Sequence, residues 1–255
     1  MPNPFKVVAI MCVYNEADVL GYTLKHLYEQ GITVHIIDNW STDGSDQIAQ
    51  EFPLEGYEKF PSNGPSKYYS WAPLLKRVEV IAKNSNADWI THHDADEIRR
   101  SPRKNESLVD GFARIQNTNY NAINFQVYHF MLVDDLYTGD PEKHFKYYTT
   151  DHGDCHMRQV KAWRNLGHQV DLSSTGGHFA QFPGINVSPE KFILKHYPLR
   201  SIEQSKRKVL VERLPRYDPV ELQKQWHCQY QSFKSLSPED YRTWIHDPNS
   251  LTKCK

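Results

Sequence analysis

The stretch Trp89-Ile-Thr-His-His-Asp-Ala-Asp-Glu97 decides how the rest of the chain is interpreted. Apolar residues alternate up to His93, a pattern that predicts a short buried strand. Asp94 and Asp96 follow at once, and because residues two apart in an extended chain point the same way, both carboxylates can converge on one hard cation. Open α/β sheets bind ligands at the carboxyl ends of their strands. The stretch therefore predicts a ligand site at a sheet edge, with a plain polar exit from the strand as the other interpretation.

Two earlier strands end in the same way. Val7–Val13 is a continuous apolar run, as expected of a strand buried on both faces of a parallel sheet, and Tyr14-Asn15-Glu16 follows it. A second strand, Val34–Asp38, runs into Asn39. Because a helical pattern follows each strand, the order predicts a parallel α/β sheet. Turns also favour Asn and Asp. Polar residues that directly follow three strands at one edge of the sheet nevertheless predict a nucleotide site there.

Later patterns are weaker. The sequence predicts a helix up to about residue 82, a helix over 105–117, one strand over 120–128, a loop over 141–154, a short strand over 159–163, and amphipathic helices over 221–233 and 239–245.

Composition restricts the class of protein. A chain of 255 residues can bury a substantial core in one large domain or two small ones. The 30 basic and 31 acidic residues nearly balance, which argues against a general nucleic-acid-binding protein. The four cysteines show no CxxC spacing and fit free thiols in a reducing compartment. There is no signal peptide and no apolar run near the ~20 residues of a membrane span, so a cytoplasmic protein is expected.

Three segments resemble, in order and spacing, the signatures of family-2 glycosyltransferases with the GT-A fold. They are Val13-Tyr-Asn-Glu16, Asp38-Asn-Trp-Ser-Thr-Asp-Gly-Ser45 and Asp94-Ala-Asp-Glu97. The resemblance implies an α/β, Rossmann-like GT-A fold with a mostly parallel central sheet flanked by helices. It also implies a GT-A domain over residues 1–200, with a nucleotide-sugar-binding half (1–100) and an acceptor and metal-completing half (101–200). A helical carboxy-terminal extension would cover residues 201–255.

The same resemblance implies a donor site for a UDP-, GDP- or dTDP-sugar. Tyr14 and Asp38 would contact the base, Asp94 the ribose or a metal-bound water, and Asp96 a Mn²⁺ or Mg²⁺ ion. Asn39 replaces the usual second Asp of its motif, and since an amide both donates and accepts hydrogen bonds, the choice of base stays open. The full set of residues expected at the nucleotide is Val13, Tyr14, Asn15, Glu16, Asp38, Asn39, Lys76, Asp94, Ala95, Arg200 and Lys206.

The segment Phe192–Ser201 is expected to complete the site. An apolar strand delivers His196, Pro198 breaks it, and Ser201 can cap a helix. Because GT-A metal sites commonly use one late His or Asp, the resemblance implies His196 as a ligand. His178, placed by two glycines in a tight turn, is the second candidate, and imidazole favours Mn²⁺ over Mg²⁺. Arg200, Lys206 and Arg207 would lie near the diphosphate, although a solvated helix face is the other interpretation.

The resemblance further implies an inverting transfer to a hydroxyl group of a glycan or lipid-linked glycan, with possible peripheral membrane association. A carboxylate would deprotonate the acceptor, and the metal and basic residues would carry the leaving-group charge. Asp154, Asp171 and Glu203 are the candidate bases in the carboxy-terminal half, and Asp154 is favoured.

Three other functions compete. A sugar-phosphate nucleotidyltransferase usually needs a glycine-rich loop with a basic residue after the first strand, and Cys-Val-Tyr-Asn-Glu16 is not one. A metal phosphohydrolase would use His92, His93 and Asp94 with further His clusters such as His144, His152 and His156, yet consecutive strand residues face opposite ways. A binder of nucleotide-sugars without catalysis would share the fold.

Overall fold

The computed structural model describes residues 4–151, 158–235, 237, 239–240 and 243–254, and in these residues the strands form two β-sheets. The strands are β1 (Val7–Val13), β2 (Thr33–Asp38), β3 (Gly56–Lys59), β4 (Trp89–Asp94), β5 (Glu97–Arg100), β6 (Ala122–Ile123), β7 (Phe125–Phe130), β8 (Tyr147–Thr149), β9 (Ala162–Arg164), β10 (Phe192–His196) and β11 (Thr252–Lys253). The α-helices are α1 (Ala17–Glu29), α2 (Ser45–Gln50), α3 (Trp71–Asn84), α4 (Leu108–Gln116), α5 (Pro141–His144), α6 (Ile202–Lys206) and α7 (Pro219–Gln223).

The first sheet has the order β3-β2-β1-β4-β9-β6. Its β3-β2-β1-β4 part is parallel, whereas β9 runs antiparallel to both β4 and β6. The sequence-based expectation of an α/β fold is therefore confirmed, and the parallel description applies to the four strands that carry the motifs.

Alternation of apolar residues explains why β1 lies at the centre. Val7, Ala9 and Met11 pack into one core with α1, α2 and α4, while Val8 and Ile10 pack into another with α3. All five side chains are buried. An apolar residue at every position is therefore what a strand with helices on both faces requires.

The second sheet has the order β11-β8-β7-β10-β5, and β10 lies parallel to β7 and antiparallel to β5. Only Ala95 and Asp96 separate the end of β4 from the start of β5. The Asp-x-Asp turn is thus the point where the chain passes from the first sheet to the second.

Two sequence predictions in this region are wrong. The strand expected over residues 120–128 is two strands, β6 and β7, which belong to different sheets. The chain crosses between the sheets at Asn124, whose side-chain oxygen accepts a hydrogen bond from the Gln159 amide at 2.9 Å. The loop expected over 141–154 contains α5, which Asp140 caps through the Lys143 amide at 2.9 Å, and β8.

The carboxy-terminal segment is less regular than expected. Ser201 caps α6 as predicted, accepting from the Gln204 amide at 3.1 Å. A π-helical turn over Arg207–Arg213 follows directly. The helix predicted over 221–233 is instead the short α7 and a 3₁₀ segment over Cys228–Ser235, and the one predicted over 239–245 lies partly outside the described residues. The boundary at residue 200 stays a prediction.

No helix in the described part of the chain combines the length and the apolar character needed to cross a membrane.

Candidate active site

The three polar strand exits meet at one edge of the first sheet. In the register of β1 with its neighbours, Val13 lies opposite Asp38 and Cys12 lies opposite Asp94. The strands β2, β1 and β4 are adjacent in the order that the motifs require.

Hydrogen bonds join the first and second motifs to each other. The Asn15 amide donates to Ser41 Oγ at 3.1 Å, and Asn15 Oδ1 accepts from the Thr42 amide at 2.8 Å. Asn15 adopts a left-handed backbone with φ of 56°, a region that Asn enters more readily than most residues. Asp43 accepts from the Ala17 amide at 3.0 Å and so satisfies one of the free amides at the amino end of α1. The two motifs therefore form one rigid loop pair.

Asp38 and Asn39 are both buried in this loop pair. Asp38 Oδ1 accepts from the Ser41 amide at 3.0 Å, and Oδ2 accepts from Tyr57 Oη at 3.2 Å. Asn39 Nδ2 donates to the Phe60 carbonyl at 2.8 Å. These bonds fix the wall of the site at the place where a base is expected.

The first carboxylate of the Asp-x-Asp turn is paired with a lysine that the sequence interpretation did not assign. Lys161 Nζ donates to Asp94 Oδ2 at 2.6 Å and to Glu97 Oε1 at 2.7 Å, and Lys161 is only 3% exposed. Burial raises the pKa of Asp94, but attractions led by that of the Lys161 ammonium lower it, and the pKa lies below its ordinary value. Asp94 is therefore held ionised by a cation of the chain itself.

The second carboxylate is paired in the same manner. Lys208 Nζ donates to Asp96 Oδ2 at 3.0 Å and to Glu16 Oε1 at 2.7 Å. His196 Nε2 lies 3.5 Å from Asp96 Oδ1. Although burial acts in the opposite direction, Lys208 and His196 hold the pKa of the Asp96 carboxyl well below its usual value.

Arg200 fastens the first motif to the late His-Tyr-Pro segment. It is fully buried and donates to Glu16 Oε2 at 2.5 Å and to both oxygens of Asp18 at 2.7 Å. Its Nη1 donates to the Tyr197 carbonyl at 2.8 Å. These contacts indicate a positioning role for a residue that the resemblance implied at the diphosphate.

Tyr14 lies under two guanidinium groups. Arg213 and Arg216 have their guanidinium carbons 5.3 and 4.7 Å from the Tyr14 ring centroid, and Arg216 also donates to Tyr14 Oη. The Tyr69 ring lies 6.1 Å away. Because Arg213 ends the π-helical turn and Arg216 follows it, the carboxy-terminal segment closes the site over the first motif.

The residues expected to bind a metal do not form a ligand set. No group of three His, Cys, Asp or Glu side chains suited to an ion occurs among the residues that the structure describes. Asp94 and Asp96 each have a lysine ammonium within hydrogen-bond distance, and like charges repel an ion that approaches either one. His196 lies 3.2 Å from His129, and His178 Nδ1 lies 3.2 Å from Gln159 Nε2. These donors fit a divalent metal poorly, and the metal stays a prediction.

The turn before His178 does have the predicted glycine conformation. Gly176 and Gly177 have φ of 64° and 87°. A Cβ at Gly177 would lie 3.0 Å from Leu75 and 3.1 Å from His92 Nε2, so the backbone also approaches its neighbours closely. The glycine pair therefore provides both a left-handed backbone and room for a close backbone approach.

The remaining candidates that the structure describes contact groups other than the carboxylates of Asp94 and Asp96. Lys76 bonds to Glu79 at 2.8 Å and lines a cavity of about 600 Å³ with Asp171. Lys206 lies 3.6 Å from Glu239. Asp171 accepts from Ser173 and Ser174, and Glu203 is exposed on α6. Asp154, His152 and His156 lie outside the described residues. Val13 and Ala95 offer their carbonyls to Asn39 and Thr23 at 2.8 and 2.6 Å.

The two strand histidines of the phosphohydrolase hypothesis, His92 and His93, are packing residues here. His92 and His93 are buried, and burial lowers the pKa of His92 to about 4, so it is neutral near pH 7. Its Nε2 lies 3.9 Å from Asp94.

Comparison with known proteins identifies the family. The sequence model described as glycosyl transferase family 2 matches residues 8–158. A search of curated protein sequences finds no match. Among solved structures, residues 1–349 of TarS from S. aureus in complex with UDP are 15% identical, with 81% of this chain and 65% of that chain covered and a TM-score of 0.44.

Two other similar structures have lower scores. Mannosyl-3-phosphoglycerate synthase from Rubrobacter xylanophilus is 14% identical over 50% of this chain and 41% of that one, with a TM-score of 0.35. A 4-diphosphocytidyl-2C-methyl-D-erythritol synthase is 12% identical over 80% of this chain and 97% of that one, with a TM-score of 0.38. This chain thus spans about two thirds of TarS 1–349. Since the family's sequence model covers more than half of the chain, this protein belongs to glycosyl transferase family 2, as its motifs predicted.

Proposed function

We propose that this chain binds a nucleoside-diphosphate sugar at the shared edge of β1, β2 and β4 and transfers the sugar to a hydroxyl acceptor. The observation that supports this most is the convergence of three separate family motifs on one sheet edge, with Val13 opposite Asp38 and Cys12 opposite Asp94.

Each part of the proposed site has a separate task. Asp38 and the Tyr14 ring hold the base, since a carboxylate accepts from a base N–H and an aromatic ring stacks on it. Asp94, kept ionised by Lys161, accepts from sugar hydroxyls near the reacting carbon. The cationic side chains over Tyr14 stabilise the negative charge of the departing diphosphate.

In the proposed reaction the acceptor oxygen attacks the anomeric carbon as the bond to the diphosphate breaks. The electron pair leaves with the nucleoside diphosphate, and the acceptor proton goes to a carboxylate base. Inversion at that carbon and Asp154 as the base stay predictions. A hexose donor, a glycan or lipid-linked glycan acceptor and the cytoplasmic location also stay predictions.

Metal dependence receives no support from the donor set, because both aspartates of the turn are paired with lysines. A bound divalent ion would supply Lewis-acid stabilisation of the leaving diphosphate. No step of the proposed reaction depends on it.

The test is thermal stability against UDP-, GDP- and dTDP-sugars, with Mn²⁺ and with EDTA. A donor present at ~100 times its dissociation constant adds roughly 2.7 kcal/mol to the free energy of unfolding, which shifts the melting temperature measurably. Tyr14→Ala should weaken binding of that donor by about 5-fold to 150-fold, because base stacking contributes about 1–3 kcal/mol. Tyr147→Ala, a partly buried tyrosine of the second sheet, is the matched control.

Products then separate the competing functions. Release of nucleoside diphosphate from the stabilising donor, with an acceptor present, supports transfer. Pyrophosphate formation from a nucleoside triphosphate and a sugar phosphate would instead identify a nucleotidyltransferase. If none of the donors stabilises the chain in either buffer, the proposal is wrong.

A further inference from the structure

The π-helical turn over Arg207–Arg213 sets the positions of two cationic side chains. In a π-helix each backbone amide bonds to the carbonyl five residues earlier. This pattern extends past the turn, since the Leu214 amide donates to the Val209 carbonyl at 3.0 Å. In an α-helix, at 3.6 residues per turn, side chains five apart point about 140° away from each other. The π pattern links residue i to residue i+5 and brings such side chains nearer to one side. Lys208 and Arg213 are both buried as a result.

Lys208 reaches the Asp-x-Asp turn from this segment. It is 5% exposed, and its ammonium bridges Glu16 and Asp96, one residue from each of two motifs. An ammonium group has three N–H donors, and these two bonds use two of them. Within the described residues, one donor of Lys208 therefore remains for a third partner in the space between the motifs.

Arg213 is the more unusual residue. It is 8% exposed, and its guanidinium carbon lies 3.9 Å from the Tyr69 ring centroid and 5.3 Å from that of Tyr14. Its Nη1 is enclosed and has no hydrogen-bond partner within the described residues. An enclosed guanidinium N–H without an acceptor is costly, because the group has lost its water without gaining a partner. The position and charge of Arg213 therefore suit an anion that enters beside Tyr14.

We infer that Lys208 and Arg213 form a binding site for the diphosphate of a nucleoside diphosphate, and that their charges stand in place of a divalent metal ion. The inference rests on the proposed function and departs from the metal site that the Asp-x-Asp motif implies. Asp96 then positions Lys208 instead of ligating an ion. Arg213, whose planar fork matches phosphate oxygens, makes the direct contact.

The experiment measures nucleoside diphosphate binding to the purified chain by isothermal titration calorimetry. UDP, GDP and dTDP are titrated separately in buffer with EDTA and in buffer with Mn²⁺. At least one of them is expected to bind in EDTA, with a Kd that Mn²⁺ changes by less than about threefold. The matching nucleoside, which has no phosphate, is titrated in parallel.

Arg213→Met is the informative variant, because Arg213 makes no ion pair within the described residues and its loss leaves the carboxylate pairs intact. It should weaken diphosphate binding by about 10-fold to 150-fold, the usual range for a lost hydrogen bond to a charged group. Nucleoside binding should change by less than about threefold. Arg213→Lys should recover part of the lost affinity, since it restores the charge without the fork. Arg103→Met, on an exposed loop arginine paired with Glu190, is the matched control.

Two results would overturn the inference while leaving the proposed function in place. One is diphosphate binding that requires Mn²⁺, with affinity in EDTA more than tenfold weaker. The other is an Arg213→Met chain that binds the diphosphate as tightly as the unchanged protein. If neither nucleoside diphosphates nor their sugars bind in either buffer, the proposed function and this inference are both wrong.

Discussion

Glu142 offers a test of how the elements around the Asp-x-Asp turn are held together. Its carboxylate accepts from Arg100 of β5 at 2.6 Å, from Lys195 of β10 at 2.6 Å and from Tyr22 of α1 at 3.1 Å. Burial alone raises the pKa of this carboxyl, but Arg100 and Lys195 outweigh it and lower the pKa from 4.5 to about 2. One acidic side chain thus joins β5 and its neighbouring strand β10 to α1.

The sign of the pH dependence follows from that lowered pKa. The folded protein binds the proton less readily than the unfolded chain, so the carboxylate stabilises the fold above pH 4.5 and loses this effect as the pH falls toward 2. Lowering the pKa from 4.5 to about 2 corresponds to about 3.4 kcal/mol of stability at neutral pH, at about 1.36 kcal/mol per tenfold change in proton affinity. By pH 3.5 about 1.4 kcal/mol of this stabilisation by the Glu142 carboxylate should be lost.

Glu142→Gln is the perturbation, and urea unfolding at pH 7 and pH 3.5 is the assay. The variant should be about 3.4 kcal/mol less stable at pH 7, and the difference from the unchanged protein should shrink to about 2 kcal/mol at pH 3.5. Glu29→Gln is the control, because its pair with Lys25 is exposed and such pairs contribute about 0.5 kcal/mol or less. A Glu142→Gln difference that is the same at both pH values, or no larger than that of Glu29→Gln, would refute the reasoning.

Two further predictions concern the site and the turn beside it. Asp154→Asn should abolish sugar transfer while leaving the calorimetric Kd of the donor unchanged, and retained transfer would remove Asp154 as the base. Gly177→Ala should lower the free energy of unfolding by about 1–2 kcal/mol for the left-handed backbone alone, and by more if Leu75 and His92 must move away from the new Cβ. Urea unfolding measures this loss. Gly167→Ala is the control, because Gly167 has a similar φ of 76° and an added Cβ there meets nothing within 4 Å. Equal losses in the two variants would mean that the close contacts at Gly177 contribute nothing.

The strands and their polar ends were predictable because each rests on a local pattern. β1 and β4 carry apolar runs with polar residues directly after them, and the parallel order follows from the helices between them. The Ser201 cap was equally local. Nothing in these predictions required knowledge of distant contacts.

The lysine partners of Asp94 and Asp96 could not be predicted, because each lysine is distant from its aspartate in the sequence. Lys161 meets Asp94 across 67 positions of sequence, and Lys208 meets Asp96 across 112. Among the clustered basic residues of 206–208, Lys206 was favoured at the nucleotide, yet Lys208 is the buried one. The change from α to π hydrogen bonding after Lys206 alters which side chains face inward, and a helical pattern of fixed period does not reveal it.

The split between β6 and β7 was hidden for a related reason. Apolar residues alternate from Ile123 to Val127 although the chain changes sheets at Asn124. Period-two patterns report which side of a strand is buried, and they carry no information about which sheet buries it.

The two-residue connection between β4 and β5 has a consequence for where this chain can accept change in length. β5 pairs with β10 in a register that sets His196 opposite Glu97, while β4 pairs with β1 in a register that sets Asp94 opposite Cys12. One residue added between Asp94 and Glu97 would have to displace one of these registers, and a slip by one position turns every side chain of a strand to its other face. Exposed turns such as the one at Gly64, where an added Cβ meets nothing within 4 Å, carry no such constraint. Insertions and deletions should therefore accumulate in such turns and be excluded from the junction of the two sheets.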